Sequence, residues 1–140
     1  MKVRELMSTQ VITVRKSDPI RVPWELVDQH RLRRFPVMEG DRLVGIITDR
    51  DLRNATASSV VLMEKKYHDF LLDTVKVETV MSADPTCVSP EDDVREAARR
   101  ILELKVGGLP VVEGEKLVGI ITETDLINAL VEVLSRNAGG

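Results

Sequence analysis

The chain of 140 residues carries 20 Lys and Arg against 23 Asp and Glu, and a net charge of −3 argues against general nucleic-acid or anionic-membrane binding. A single cysteine, Cys87, excludes an intrachain disulfide, and with two histidines no zinc-binding spacing exists. The opening residues lack the apolar run of a secretion signal and no stretch approaches a membrane span, so the chain reads as soluble and cytoplasmic.

Residues 3–55 return as residues 77–129 with a constant offset of 74, and 20 of the 53 aligned pairs are identical. That period is too long for a solenoid, so the reading is one small unit duplicated and paired with itself. Aromatics at 3% leave the core to Val, Ile, Leu and Ala. In the first copy Val11, Ile12, Thr13 and Val14 read as a short β-branched strand. A helix is expected from Asp18 and Pro19, an N-cap and first-turn pair. Pro23, where the second copy has Ala97, would cost roughly 3 kcal/mol inside a helix. This helix should therefore begin late or kink, with Trp24 and Val27 on its buried face. Phe35, Pro36, Val37 and Met38 then form a hairpin with residues 42–47 around Glu39, Gly40 and Asp41, where glycine suits the turn.

Residues 57–74 belong to neither copy. Ser58 or Ser59 can cap a helix running through Leu72, with Val60, Met63, Tyr67, Phe70 and Leu71 near helical spacing, packing across the module. His68 falls on its polar side. In the second copy Ser89, Pro90, Glu91 and Asp92 spell a capping box, and Val94, Ala97, Ala98, Ile101 and Leu102 keep helical spacing. The last helix carries Leu126, Ile127, Leu130, Val131, Val133 and Leu134, more apolar residues than one core needs. Residues 137–140 read as a frayed tail. Each copy thus reads as strand, helix, strand, strand, helix, with divisions at 1–57, 58–74 and 75–140.

The sharpest motif, Gly-Ile-Ile-Thr-x-x-Asp-Leu, occurs at residues 45–52 and 119–126. Capping alone explains both Thr48 with Asp51 and Thr122 with Asp125, since a threonine followed three residues later by an acid starts a helix. The same corner also exposes a hydroxyl, a carboxylate and backbone N–H groups, which suit phosphate and the vicinal hydroxyls of a ribose. Arg31, Leu32, Arg33 and Arg34 form a basic cluster that reads as a solvated turn after a helix, where arginines suit the negative dipole end; so short a cluster on an acidic chain argues against nucleic-acid binding. The second copy has Gly107 and Gly108 in place of Arg33 and Arg34, and Thr124 in place of Arg50. No catalytic constellation is present. His30 reads as a helix-end residue and Cys87 as a small packing residue, and no metal ligand set is found.

The duplicated Met-Ser, Val-Ile-Thr-Val, Pro-Val and Leu-Val-Gly-Ile-Ile-Thr-x-x-Asp-Leu elements resemble a pair of CBS (cystathionine-β-synthase-type) domains forming one Bateman module. The insert and the two Thr-x-x-Asp endings are most similar to bacterial stand-alone CBS pairs of the acetoin-utilisation type. The resemblance implies an α/β (α+β) fold of two βαββα repeats about a pseudo-twofold, with the helical insert between them. It implies a regulatory module binding an adenosine-containing ligand (AMP, ADP, ATP or S-adenosylmethionine) in inter-repeat clefts, without turnover or a catalytic cofactor. Thr48, Asp51, Thr122 and Asp125 would face phosphate and ribose, with Arg33, Arg34 and Arg50 adding charge. Ile12, Thr13 and Leu32, and in the other copy Thr86, Cys87 and Val106, would hold adenine, the family typically taking these segments from the repeat opposite. A homodimer through the terminal helices and an unknown regulated protein are the expected partners. The rival reading is a structural or interaction homodimer whose Thr-x-x-Asp motifs only cap helices.

Overall fold

A computed structural model describes residues 1–57 and 64–139, with side chains through 138. In chain order its elements are α1 (Val3–Leu6), β1 (Val14–Arg15), α2 (Arg21–His30), β2 (Arg34–Glu39), β3 (Arg42–Thr48), α3 (Asp49–Ala55) and α4 (Lys65–Thr74). There follow α5 (Val77–Val80), β4 (Ser82–Ala83), α6 (Val94–Leu104), β5 (Gly108–Glu113), β6 (Lys116–Thr122) and α7 (Glu123–Gly139). The fold is α+β, and the same hairpin anchors each copy. Gly40 and Gly114 hold φ of +59° and +63° at the turns, a conformation side chains resist. β2 and β3 pair antiparallel from Arg34↔Thr48 to Glu39↔Arg42. β5 and β6 repeat that register from Gly108↔Thr122 to Glu113↔Lys116, with an irregularity at the same place in each.

The expected strand at Val11 to Val14 is shorter than its composition suggests. β1 covers Val14 and Arg15 only, parallel to β2 through Val14↔Val37 and Arg15↔Met38. Proline is the physical reason. In the second copy Val88 N–H donates to the Pro110 carbonyl at 3.0 Å, and Val112 N–H donates to the Val88 carbonyl at 2.9 Å. The next bond upstream would need the N–H that Pro110, like Pro36, does not have.

The two compact units cut across the contiguous copies. One comprises Ile12–Pro85, the other Met1–Val11 with Thr86–Gly140. In the first, β4 closes the free edge of β3 through Gly45↔Ala83 and Ile46↔Ser82. In the second, Ser8 and Ile120 exchange two backbone bonds of 2.9 and 3.0 Å. The Met-Ser segment of each copy therefore lines the hairpin of the other. Val77 is fully buried with Val14, Ile20, Phe35, Val37, Ile47, Leu52 and Leu72; Val3 is fully buried with Val88, Ala97, Ile101, Leu109, Val111 and Ile121. Burial of an apolar side chain contributes about 1.5–3 kcal/mol, so each borrowed valine is a substantial part of a small core. The crossing also explains the glycine of Gly-Ile-Ile-Thr. A Cβ on Gly45 would lie 2.8 Å from the Ser82 carbonyl oxygen, and one on Gly119 the same distance from that of Ser8.

Helix α2 starts late, at Arg21, and its Pro23 is buried in the first turn, where N–H groups lack intrahelical partners in any case. Trp24 and Val27 pack against the core. The capping box expected at Ser89 to Asp92 does not cap a helix. Ser89 N–H donates to Asp92 Oδ2 at 2.9 Å, but within the turn before α6. The cap is Asp93, which accepts from Arg95 N–H at 2.8 Å. Leu102 lies outward and is 76% exposed, leaving the buried face to Ala97 and Ile101. In the insert, Ser58, Ser59, Val60 and Met63 lie outside the described residues. Leu72 of α4 is buried while Phe70 is 59% exposed, so Phe70 is not on the packing face. His68 is half-buried against Trp24, edge to face at 4.9 Å between ring centroids, and not on a polar side. Arg21 of α2 pairs with Asp69 at 3.4 Å and with Asp73, clasping α4 to α2. The tail expected to fray is helical through Gly139.

Candidate functional site

Both Thr-x-x-Asp corners are built alike. Thr48 ends β3 in extended backbone and caps α3. Thr48 N–H donates to Asp51 Oδ2 at 2.9 Å, and Asp51 N–H donates to Thr48 Oγ1 at 3.1 Å. Thr122 N–H donates to Asp125 Oδ2 at 2.8 Å, and Asp125 N–H donates to Thr122 Oγ1 at 3.3 Å. The Thr122 hydroxyl adds a bond to the same Oδ2 at 3.1 Å. These reciprocal bonds are capping boxes. They leave a second carboxylate oxygen in each motif: among the described residues, Oδ1 of Asp51 and of Asp125 has no hydrogen-bond partner. An ionised carboxylate accepts at both oxygens, so the cap and a bound hydroxyl are compatible.

The segment before each hairpin is tied to this corner. Asp49 N–H donates to the Arg33 carbonyl at 2.8 Å, and Glu123 N–H to that of Gly107 at 2.9 Å. Arg34 lies directly across the ladder from Thr48, as Gly108 does from Thr122. Arg33 and Arg34 thus stand beside Thr48, Arg50 and Asp51 at one end of the first sheet. Arg33 and Arg50 are exposed, and Arg34 is half-buried and held by a neighbour. Arg31 is set apart from this group. It ends α2 in the left-handed conformation at φ 54°, as Lys105 ends α6 at φ 55°, which is the helix-end role. His30 is the exposed last residue of α2.

The parallel register of Val14 with Val37, and of Val88 with Val111, carries the residues upstream toward the same end of each sheet. Ile12 is half-buried against the core, Thr13 is exposed and Leu32 is 38% exposed. In the second unit Thr86 is exposed, Cys87 half-buried and Val106 38% exposed. Each unit therefore gathers, from one copy, the segment before the first strand, the segment before the hairpin, and that copy's own Thr-x-x-Asp.

One residue of this end escaped the sequence reading. Arg100 of α6 donates through Nη1 to the Cys87 carbonyl at 2.6 Å. Its signal was an arginine between Ala97 and Ile101, next to the buried face of an amphipathic helix, where the first copy has Leu26. Burial pushes the Cys87 thiol up, and the charge of Arg100 opposes that rise. Among the described residues no group of three or more His, Cys, Asp or Glu could hold a metal ion. No described helix is long and apolar enough to cross a membrane.

Known proteins share the fold and the family pattern of this chain. The family model for the CBS domain matches residues 3–58 and 77–132. A CBS domain-containing protein of Dictyostelium discoideum is 34% identical over 134 residues, spanning 94% of this chain and 92% of that protein. The crystal structure of a candidate acetoin utilization protein (AcuB) from Vibrio cholerae is similar at a TM-score of 0.81 and 28% identity, covering 100% of this chain and 97% of that one. CBSX2, solved in complex with AMP, is similar at a TM-score of 0.79 and 25% identity, over 94% of this chain and 97% of its own. Other relatives are far longer: the match spans 21% of an inosine-5′-monophosphate dehydrogenase of Korarchaeum cryptofilum.

Proposed function

The chain belongs to the CBS domain family, and on that premise we propose that it is a regulatory module that senses an adenosine-containing nucleotide and does not turn it over. The observation that carries the proposal is the doubled corner in which Asp51 and Asp125 use one carboxylate oxygen to cap, while the other has no hydrogen-bond partner among the described residues and suits a ribose hydroxyl. The likeness to CBSX2, solved with AMP, supports the ligand class. Thr48, Asp51, Thr122 and Asp125 serve ribose and phosphate, and Arg33, Arg34 and Arg50 serve phosphate. Ile12, Thr13, Leu32, Thr86, Cys87 and Val106 serve adenine. AMP, ADP, ATP and S-adenosylmethionine share the part so recognised.

The module works in the cytoplasm as a homodimer that regulates a second protein. Ile127, Leu130, Val131 and Leu134 support the dimer, since all four are more than half exposed along one stripe of α7. A second reading keeps the dimer and drops the ligand, and the complete capping boxes favour it, because capping alone accounts for both motifs.

Thermal melting with a panel of adenosyl ligands decides between them. A ligand at a hundredfold excess over its Kd adds about 2.7 kcal/mol, a rise on the order of several degrees for a chain of this size. An unmoved transition at millimolar ligand leaves the scaffold reading. Calorimetry then apportions the site. Arg33→Ala with Arg34→Ala should weaken AMP tenfold or more and adenosine hardly at all, because charge-assisted bonds to phosphate contribute roughly 1.5–3 kcal/mol each. Asp51→Ala and Asp125→Ala should weaken both ligands alike.

A further inference from the structure

We infer that Arg100 is a positioning residue that pins residues 86–87 of the second repeat in the form that receives an adenine ring. The inference rests on the nucleotide reading above and adds to it a residue that touches no ligand.

The argument begins with Pro110. Because it offers no N–H, the parallel ladder stops at Val88, and residues 86–87 lie outside it. Val88 turns both its N–H and its carbonyl to β5. The carbonyl of Cys87, one residue earlier, points the opposite way, as alternation along an extended chain requires. Cys87 is half-buried, and a carbonyl withdrawn from water needs a donor. Arg100 Nη1 supplies it at 2.6 Å, a charge-assisted bond. The guanidinium is itself aimed by Nε donating to Glu96 Oε1 at 3.3 Å, one helical turn back. Among the described residues the first repeat has no such device, since Leu26 stands where Arg100 would be and cannot donate. Both repeats thus leave the segment before the first strand unladdered, and among the described residues the second alone fastens it with a side chain from the helix that follows. A segment already fixed loses less freedom when a ligand binds, so the fastened segment favours adenine in one repeat over the other.

The test uses the full chain with Arg100→Leu, which installs the residue of the first repeat, and Arg100→Lys, which keeps a donor. Amide exchange at residues 86–88 should quicken several-fold in Arg100→Leu and little in Arg100→Lys. The thiolate absorbance of Cys87, the sole cysteine, should titrate at higher pH in Arg100→Leu alone. In calorimetry with adenosine and with AMP, Arg100→Leu should weaken one of two sites about five- to twentyfold for both ligands, the other site staying unchanged, and Arg100→Lys should retain most of the affinity. Unchanged exchange and thiol titration would show that Arg100 pins nothing. Faster exchange with both sites at wild-type affinity would show a pin that serves the fold and not the ligand. Wild-type protein that binds no adenosyl ligand at all would overturn the nucleotide reading and the ligand half of this inference together, while exchange still decides the pin.

Discussion

The two repeats agree where the scaffold is made and differ where a ligand would be read. Of the identical pairs, Val3 and Val77 fill the exchanged places in the cores, and Met7-Ser8 and Met81-Ser82 cross Gly119 and Gly45. Asp18 and Asp92 accept the same turn bond at 2.9 Å, from Arg15 and Ser89 N–H. Thr48 with Asp51 and Thr122 with Asp125 cap. At one sheet end the two differ in charge and fastening: Arg33, Arg34 and Arg50 against Gly107, Gly108 and Thr124, and Leu26 against Arg100. Duplication has kept these packing and capping residues, though not every buried one (Pro23 stands against Ala97, Phe35 against Leu109), and has let charge and fastening diverge. The first repeat is the basic one, with an insert helix clasped to it; the second is the pinned one, with a long terminal helix.

The largest effect should come from cutting the chain within residues 58–63, because each half then lacks the helix that completes its core. Neither half alone should show a cooperative thermal transition by circular dichroism, and mixing the two should restore one. A half that melts cooperatively by itself would mean that the borrowed valines are dispensable.

Next in size, Gly45→Val and Gly119→Val should destabilise by similar amounts, roughly 1–3 kcal/mol or more, in urea denaturation. Each side chain would meet a backbone carbonyl that cannot swing away, at 2.8 Å in both places. Markedly unequal losses would break the equivalence of the two crossings.

The smallest effect belongs to the clasp found only in the first repeat. Arg21 holds the Asp73 carboxyl below the usual carboxylate range, chiefly by its side-chain hydrogen bond. A depressed folded value means that the contribution is complete above the unfolded pKa of about 3.9 and is lost as pH falls through the folded value. Trp24, the sole tryptophan, sits on His68 of the clasped helix and reports the release. Its emission should shift below about pH 4 in the wild-type protein, and Arg21→Ala should show the shifted emission already at neutral pH. Identical emission in both proteins would mean that the ion pair does not hold the helix.

Features set by neighbours in sequence are legible in the sequence alone. The capping boxes depend on a three-residue spacing, and the hairpins on Gly40 and Gly114 between apolar runs. The late start of α2 followed from Pro23 alone. Ser89 and Asp92 misled because a turn and a helix N-cap use the same bond, and only Asp93, held by Arg95, separates them. The exchange was illegible for a reason built into repetition. Val3 and Val77 are equivalent residues, and either fits either core by type, so no composition or periodicity says which core takes which. His68 and Arg21 found their partners across elements that are distant in the chain.

The crossing of the Met-Ser segments bears on why the unit occurs twice in one chain. The strand order β1-β2-β3-β4 sets that segment and the first strand on opposite edges of one sheet, three strand spacings or about 14 Å apart. The five residues 9–13 could span at most about 17 Å when fully extended. A single copy could therefore complete its own sheet only with this link drawn almost straight, whereas two copies trading segments are under no such tension. Between separate molecules such a trade would depend on concentration; within one chain it does not.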